Sequence, residues 1–217
     1  MSFQYSCFIS YPALDDNPIM ERFINELHGA LKNNLAFFMP HNVFLAPINT
    51  KYGTLFNVQL GEAICRSVCW IVVYSPIYDQ RRYCLQEYAA MEQVEEKRRE
   101  VLKDKAPGVL EDIQALGMII PIFLRGRRGA LPPRIQDHLH FCDFSRYSLA
   151  HPQILTNERY DNDIRSIAEY IHDLFNKLAP WQEVLCGDCS KYEFPPEDKI
   201  KPWIQQSDQP TQRLPFR

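Results

Sequence analysis

Glu87 is the residue whose setting most invites chemistry. It lies in Tyr83-Cys84-Leu85-Gln86-Glu87-Tyr88, a short loop beyond Ser75-Pro76-Ile77-Tyr78. An apolar run, Val68-Cys69-Trp70-Ile71-Val72-Val73-Tyr74, stops at Ser75-Pro76, and a helical pattern opens near Tyr83. The spacing predicts a strand, a loop and a helix, with Glu87 in the first turn or two. The partial positive charge of a helix start favours an ionised carboxylate. At the C-terminal rim of a strand, such a carboxylate can bind ribose hydroxyls or stabilise a cationic transition state. An exposed carboxylate facing a cleft is the expected arrangement. A first-turn Glu is also a common placement with no chemistry attached, so position alone leaves its role open. Arg81 and Arg82 precede it; their guanidinium forks match phosphate geometry, although an Arg pair in a loop is usually just solvated.

Other reactive side chains form weaker patterns. Cys186-Gly187-Asp188-Cys189 is a lone Cys-x-x-Cys. A zinc site needs two further ligands, and His138 and His140, the compact His pair, are far away in sequence. Zinc, a redox pair and two ordinary cysteines all remain open, and no metal site is assigned. Arg125-Gly126-Arg127-Arg128-Gly129 is a small basic loop, a solvated turn by default. The eight glycines are scattered, and no Gly-x-Gly-x-x-Gly phosphate loop exists.

The elements that must position these residues alternate. Tyr5-Ser6-Cys7-Phe8-Ile9-Ser10-Tyr11 reads as a buried strand ending at Pro12. Asn17 is a helix cap with Pro18 at the first helical position, and Ile19, Phe23, Leu27, Ala30 and Leu31 carry the helix to about Asn33. Asn42-Val43-Phe44-Leu45 is a second strand, and Ala46 to Gly53 a loop. Leu55 to Arg66 reads as a helix interrupted by Gly61. Tyr83 to Lys105 reads as a long helix broken by Pro107-Gly108, its charged later half (Glu95 to Glu100) projecting into solvent, with Glu95 and Arg99 paired. Met118 to Leu124 is a strand whose Pro121 points to a sheet edge. His140 to Phe144 is a short last strand. Ile164, Ile167, Ala168, Ile171, Leu174, Phe175 and Leu178 mark the final helix. This alternation predicts an α/β fold: an open, mostly parallel five-stranded sheet with helices on both faces. Ligands of such sheets sit outside the carboxyl ends of the strands, so Ser10 and Tyr11, at the end of the first strand, are candidate pocket residues or strand-end packing.

A length of 217 residues fits one domain with an extension, at roughly 150 residues per domain. We place the domain at 1–180 and a Pro-rich C-terminal extension at 181–217. From Lys191 onward no period survives, five prolines (195, 196, 202, 210 and 215) follow, and Trp203 and Phe216 are the docking points of an extended tail. A net charge of −3 argues against an overall basic nucleic-acid binder. No run of about 18 apolar residues predicts a membrane span, and the N-terminus does not read as a secretory signal. The seven cysteines are odd in number and dispersed, which predicts reduced thiols in a cytoplasmic protein.

Several of these segments, taken in order, resemble the boxes of Toll/interleukin receptor (TIR) domains. Tyr5 to Tyr11 is similar to the family's aromatic-Asp-Val-Phe-Ile-Ser-Tyr strand, with Cys7 in place of Asp. Val43-Phe44-Leu45-Ala46, then Gly53, resembles its Val-Phe-Leu-Asp strand and loop. Gly61 to Ser67 resembles an Ala-Ile-x-x-Ser helix end, and Val72 to Tyr78 a Val-Leu-Ser-Pro-x-Tyr strand end. Tyr83 to Tyr88 resembles Trp-Cys-x-x-Glu-Leu, with Tyr83 in place of Trp. Together they cover about residues 3 to 125. The resemblance, to the bacterial stand-alone type, implies a flavodoxin-like fold and, in the enzymatic branch, cleavage of the nicotinamide–ribose bond of NAD. It makes Glu87 catalytic and sets Tyr83 near the nicotinamide, NAD being substrate rather than cofactor; Ser10 and Tyr11, by their place at the strand end, and Arg81, by its fork, are the further substrate-binding candidates. It also implies self-association through TIR–TIR contacts, a role in antiphage defence and a defence-system partner protein, with no membrane or nucleic acid involved. The receptor and adaptor branch implies the alternative, a scaffold without catalysis.

Overall fold

The structure is a computed structural model that describes residues 2–13, 17–45, 54–126, 131–136, 142–147, 157–196, 198, 200 and 203. Five strands form one sheet: β1 (Tyr5–Ser10), β2 (Asn42–Leu45), β3 (Ser67–Tyr74), β4 (Ile119–Phe123) and β5 (Cys142–Asp143). Their order is β2-β1-β3-β4-β5, and every ladder is parallel. This is the flavodoxin-like strand order, in which the chain reverses its winding direction between β1 and β3. The helices are α1 (Pro18–Leu35), α2 (Thr54–Cys65), α3 (Arg82–Lys105), α4 (Pro107–Leu116), α5 (Pro133–Gln136), α6 (Glu158–Leu178) and α7 (Gln182–Leu185).

Local chemistry accounts for most boundaries. Asn17 caps α1 by accepting from the Met20 N–H at 3.0 Å, and Pro18 fills the first position, where no N–H is needed. Asn157 caps α6 in the same way, accepting from Arg159 and Tyr160. The α6 stripe, Tyr160, Ile164, Ile167, Ala168, Ile171, Leu174 and Leu178, is buried. All eight residues of β3 are buried, as a strand covered on both faces requires.

Three expectations change. Pro107 does not simply break α3; it opens a separate helix, α4, from the first helical position. Pro121 is not on an edge strand, since β4 lies between β3 and β5. Among the described residues β5 pairs with Ile122 and Phe123 and not with Pro121, so no ladder bond on that side is lost there. The later half of α3 is not wholly solvated either. Arg98 is 1% exposed, on a buried stripe with Met91, Val94 and Leu102. Its guanidinium donates to the carbonyls of Val68, Cys65 and Ser67 at 3.0, 2.8 and 2.7 Å and stacks over Phe3 and Trp70. A cation at the C-terminal carbonyls of α2 also suits the helix dipole. This knot fixes the entry of β3. The Glu95–Arg99 pair is present at 2.8 Å.

The thiols differ from expectation. Cys65, the last residue of α2, is disulfide-bonded to Cys189, 124 residues away, with 5.4 Å between their Cα atoms. Cys186 and Cys189 therefore do not pair with each other, and Cys186 is a buried free thiol. The expected reduced state fails at Cys65 and Cys189 because the extension folds back onto α2. Among the described residues, no helix is long and apolar enough to cross a membrane.

Candidate functional site

The site is built where β1 and β3 end. Ser10 is the last residue of β1 and pairs with Val72 of β3. After β3 ends at Tyr74, a tight turn joins Ser75 O to the Tyr78 N–H at 2.8 Å. That turn folds Tyr78 inward, and its ring is fully buried. Arg81 precedes α3 without a side-chain capping bond. Glu87, one and a half turns into α3, points back toward β1. Its Oε2 lies 2.5 Å from Ser10 Oγ.

Contrary to the expected exposed carboxylate, Glu87 is only 3% exposed. Burial pushes its carboxyl up to about 8, against a smaller opposing effect of the Ser10 hydroxyl. The helix start does not win, because desolvating an anion outweighs the attraction of a terminal dipole that fades within a turn.

The Ser10 hydroxyl donates to Glu87 Oε2 at 2.5 Å, and the Tyr78 hydroxyl donates to the Cys84 carbonyl at 3.1 Å. Ser10 Oγ and Tyr78 Oη lie 2.7 Å apart, so the three side chains form one buried chain of contacts. Burial is what favours the neutral acid here.

The other sequence-derived candidates lie close by in different states. Tyr11 is 8% exposed, and its carbonyl accepts from the Cys84 thiol at 3.5 Å. Tyr83 is half-buried with its ring against Phe194, centroids 6.0 Å apart. Arg81 and Arg82 are exposed. Phe44, read from sequence as core, is half-buried and stacks on Phe8 at 5.2 Å. The Ala46–Gly53 loop, His138, His140 and Phe216 lie outside the described residues. Arg125 is not merely a solvated residue of a basic turn: its guanidinium donates to the carbonyls of Leu124, Ser145 and Tyr147. No group of His, Cys, Asp and Glu suited to a metal ion occurs among the described residues.

Two contributors escaped the sequence reading. Tyr78 was visible only as the end of a resembling motif, yet it links Ser10 to the α3 backbone. Trp203 was expected to anchor the tail, but its place was not. Its backbone N–H donates to Asp79 Oδ1 at 2.8 Å. Its indole lies against Tyr74, Tyr78 and Tyr88, with centroids 6.5, 5.8 and 4.5 Å apart. Trp203 of the tail therefore lies against the ring whose hydroxyl meets Ser10. Comparison with protein-family models finds no match for this chain, and neither does comparison with curated proteins.

Proposed function

We propose that this chain is a TIR-type NAD glycohydrolase in which Glu87 is the catalytic carboxylate. The observation that carries the reading is the Ser10–Glu87 contact. It joins the carboxyl end of β1 to the helix that follows β3, at the edge of the sheet where a fold of this strand order takes its ligand. The ordered motif resemblance supplies the reaction. Nicotinamide leaves as a neutral base, so little acid catalysis is required. The ribosyl carbon it leaves becomes oxocarbenium-like, and an adjacent carboxylate stabilises that charge. Water then attacks, or a second nucleophile does, giving hydrolysed, cyclic or conjugated ADP-ribose. Glu87 must shed its proton to do this, so the closed arrangement is a resting state. Ser10 would then donate to the anion, and Tyr11, Tyr83 and Arg81 would border the substrate. Self-association and a role in antiphage defence with a partner protein belong to the same reading.

Nicotinamide release from NAD, measured at high protein concentration for wild type and Glu87→Gln, tests it. Loss on the order of 10²-fold or more in the variant is expected, a few kcal/mol of transition-state stabilisation. Equal release by both proteins removes Glu87 from the mechanism. One observation favours a second reading, a non-catalytic scaffold: Glu87 is buried and bonded to Ser10, as in a purely structural polar cluster. Absence of nicotinamide release under every assembled condition would favour it.

A further inference from the structure

The C-terminal extension touches the start of α3 on successive sides. After the Cys65–Cys189 disulfide, Tyr192 lays its ring on Gly61, where an added Cβ would come within 3.0 Å of it. The Tyr192 hydroxyl reaches Ala90 O at 3.2 Å and Gln93 Oε1 at 3.1 Å. Phe194 then packs on Tyr83, and the carbonyl of Pro195 accepts from buried Gln86 Nε2 at 2.8 Å. Trp203 finishes on Asp79, Tyr74, Tyr78 and Tyr88. Every one of these partners lies on α2, the end of β3, the loop after it, or the first half of α3, around Glu87.

This contact set differs from core packing. No described residue beyond Lys191 adds to the sheet or extends a helix ladder. Pro195 and Pro196 carry no N–H to contribute. The polar anchors are the Tyr192 hydroxyl on Ala90 and Gln93, the Pro195 carbonyl on Gln86 and the Trp203 N–H on Asp79, and Trp203 itself is half-buried. Segments held by a few such contacts open at lower free energy than the core. The disulfide lies before all of them, so it keeps the segment tethered when its end lifts.

We propose that the segment carrying Tyr192, Phe194, Pro195 and Trp203 is an autoinhibitory strap that holds the Glu87 site shut through Tyr78. Trp203 presses on the ring of Tyr78, Tyr78 bonds Ser10, and Ser10 bonds Glu87. Lifting Trp203 frees Tyr78 to swing out, which breaks the hydroxyl chain and admits water to the carboxyl. What the closed strap excludes rests on the function proposed above; the closure itself does not.

Cys84 provides a readout that needs no NAD. Its thiol is 3% exposed on the floor of the same cluster, bonded to Tyr11 O, whereas Cys7 and Cys69 lie in the sheet core. Iodoacetamide labelling of the full chain, resolved by mass spectrometry, is compared for wild type, Trp203→Ala and Trp203→Phe. The strap predicts at least ten-fold faster labelling of Cys84 in Trp203→Ala, unchanged Cys7 and Cys69, and near wild-type labelling in Trp203→Phe, which keeps a ring. Unchanged Cys84 labelling in Trp203→Ala overturns the proposal. So does a joint rise of Cys7, Cys69 and Cys84, which marks a structural anchor rather than a gate. Selective Cys84 exposure without any nicotinamide release upholds the strap and counts against the NAD reading alone.

Discussion

Replacing Glu87 by Gln should flatten a pH dependence of stability that the wild type possesses. In the folded protein the Glu87 carboxyl is raised to about 8; in the unfolded chain it returns to the ordinary value of 4.5. Between those values the unfolded state holds fewer protons than the folded state. Stability from this group is therefore fully present below the ordinary value and is lost as pH rises toward about 8. At about 1.4 kcal/mol for each tenfold in proton affinity, the ceiling of the loss is roughly 5 kcal/mol. Local opening of the strap limits it, because an ionised Glu87 can reach water without global unfolding; a loss on the order of 2 kcal/mol is the working expectation. Gln keeps the shape of the neutral acid, and its amide oxygen can accept from Ser10 as the carboxyl oxygen does, so the variant should match the wild type near pH 5. Above pH 8 the variant should be the more stable protein. Urea unfolding from pH 5 to 9 measures this; with a slope of about 2 kcal/mol per molar, the two midpoints should part by roughly 1 M at alkaline pH. Groups other than Glu87 titrate equally in both proteins and cancel in the difference. Parallel midpoints across the range would refute the burial argument.

Tyr78→Phe removes the hydroxyl that meets Ser10 and donates to the Cys84 carbonyl; an overall cost of about 1–3 kcal/mol should be read from the same urea series. Arg98→Ala strips a cation from three buried carbonyls and should cost about 3–5 kcal/mol in urea unfolding, more than any exposed Arg of α3. Reducing the Cys65–Cys189 disulfide releases a 124-residue closure; the loss should fall within about 2–5 kcal/mol, seen as a lower unfolding midpoint in thiol reductant.

The fold was legible because its elements announce themselves locally. Asn17-Pro18 is a cap and a first position, β3 is an uninterrupted apolar run, and α6 carries a clean stripe. Period and capping chemistry are properties of neighbours in sequence. Arg98 was misread because a charged residue inside a charged run looks solvated, and only the fold shows three carbonyls converging on it. Its spacing of four from Val94 and from Leu102 was the available signal. The position of Glu87 beyond β3 could be read from strand, loop and helix. Its burial could not, because it depends on Ser10, 77 residues earlier, and on Trp203 of the tail lying against Tyr78. Gly61 likewise looked like a flaw in α2, whereas it is the space that Tyr192 fills. Periodicity carries no record of which surface a distant aromatic will cover.

The central claim is that Glu87, once ionised, cleaves NAD. It is met most directly by the rate of nicotinamide release from NAD between pH 6 and 9, for wild type and Glu87→Gln, each also carrying Trp203→Ala. The account predicts a rate that climbs with pH in the protein that keeps Glu87, with its midpoint below about 8 because the lifted strap lets water reach the carboxyl, and a Glu87→Gln rate at least on the order of 10²-fold lower and without that climb. Equal rates with and without the carboxylate, or no release at any pH from the strap-released protein, would contradict it.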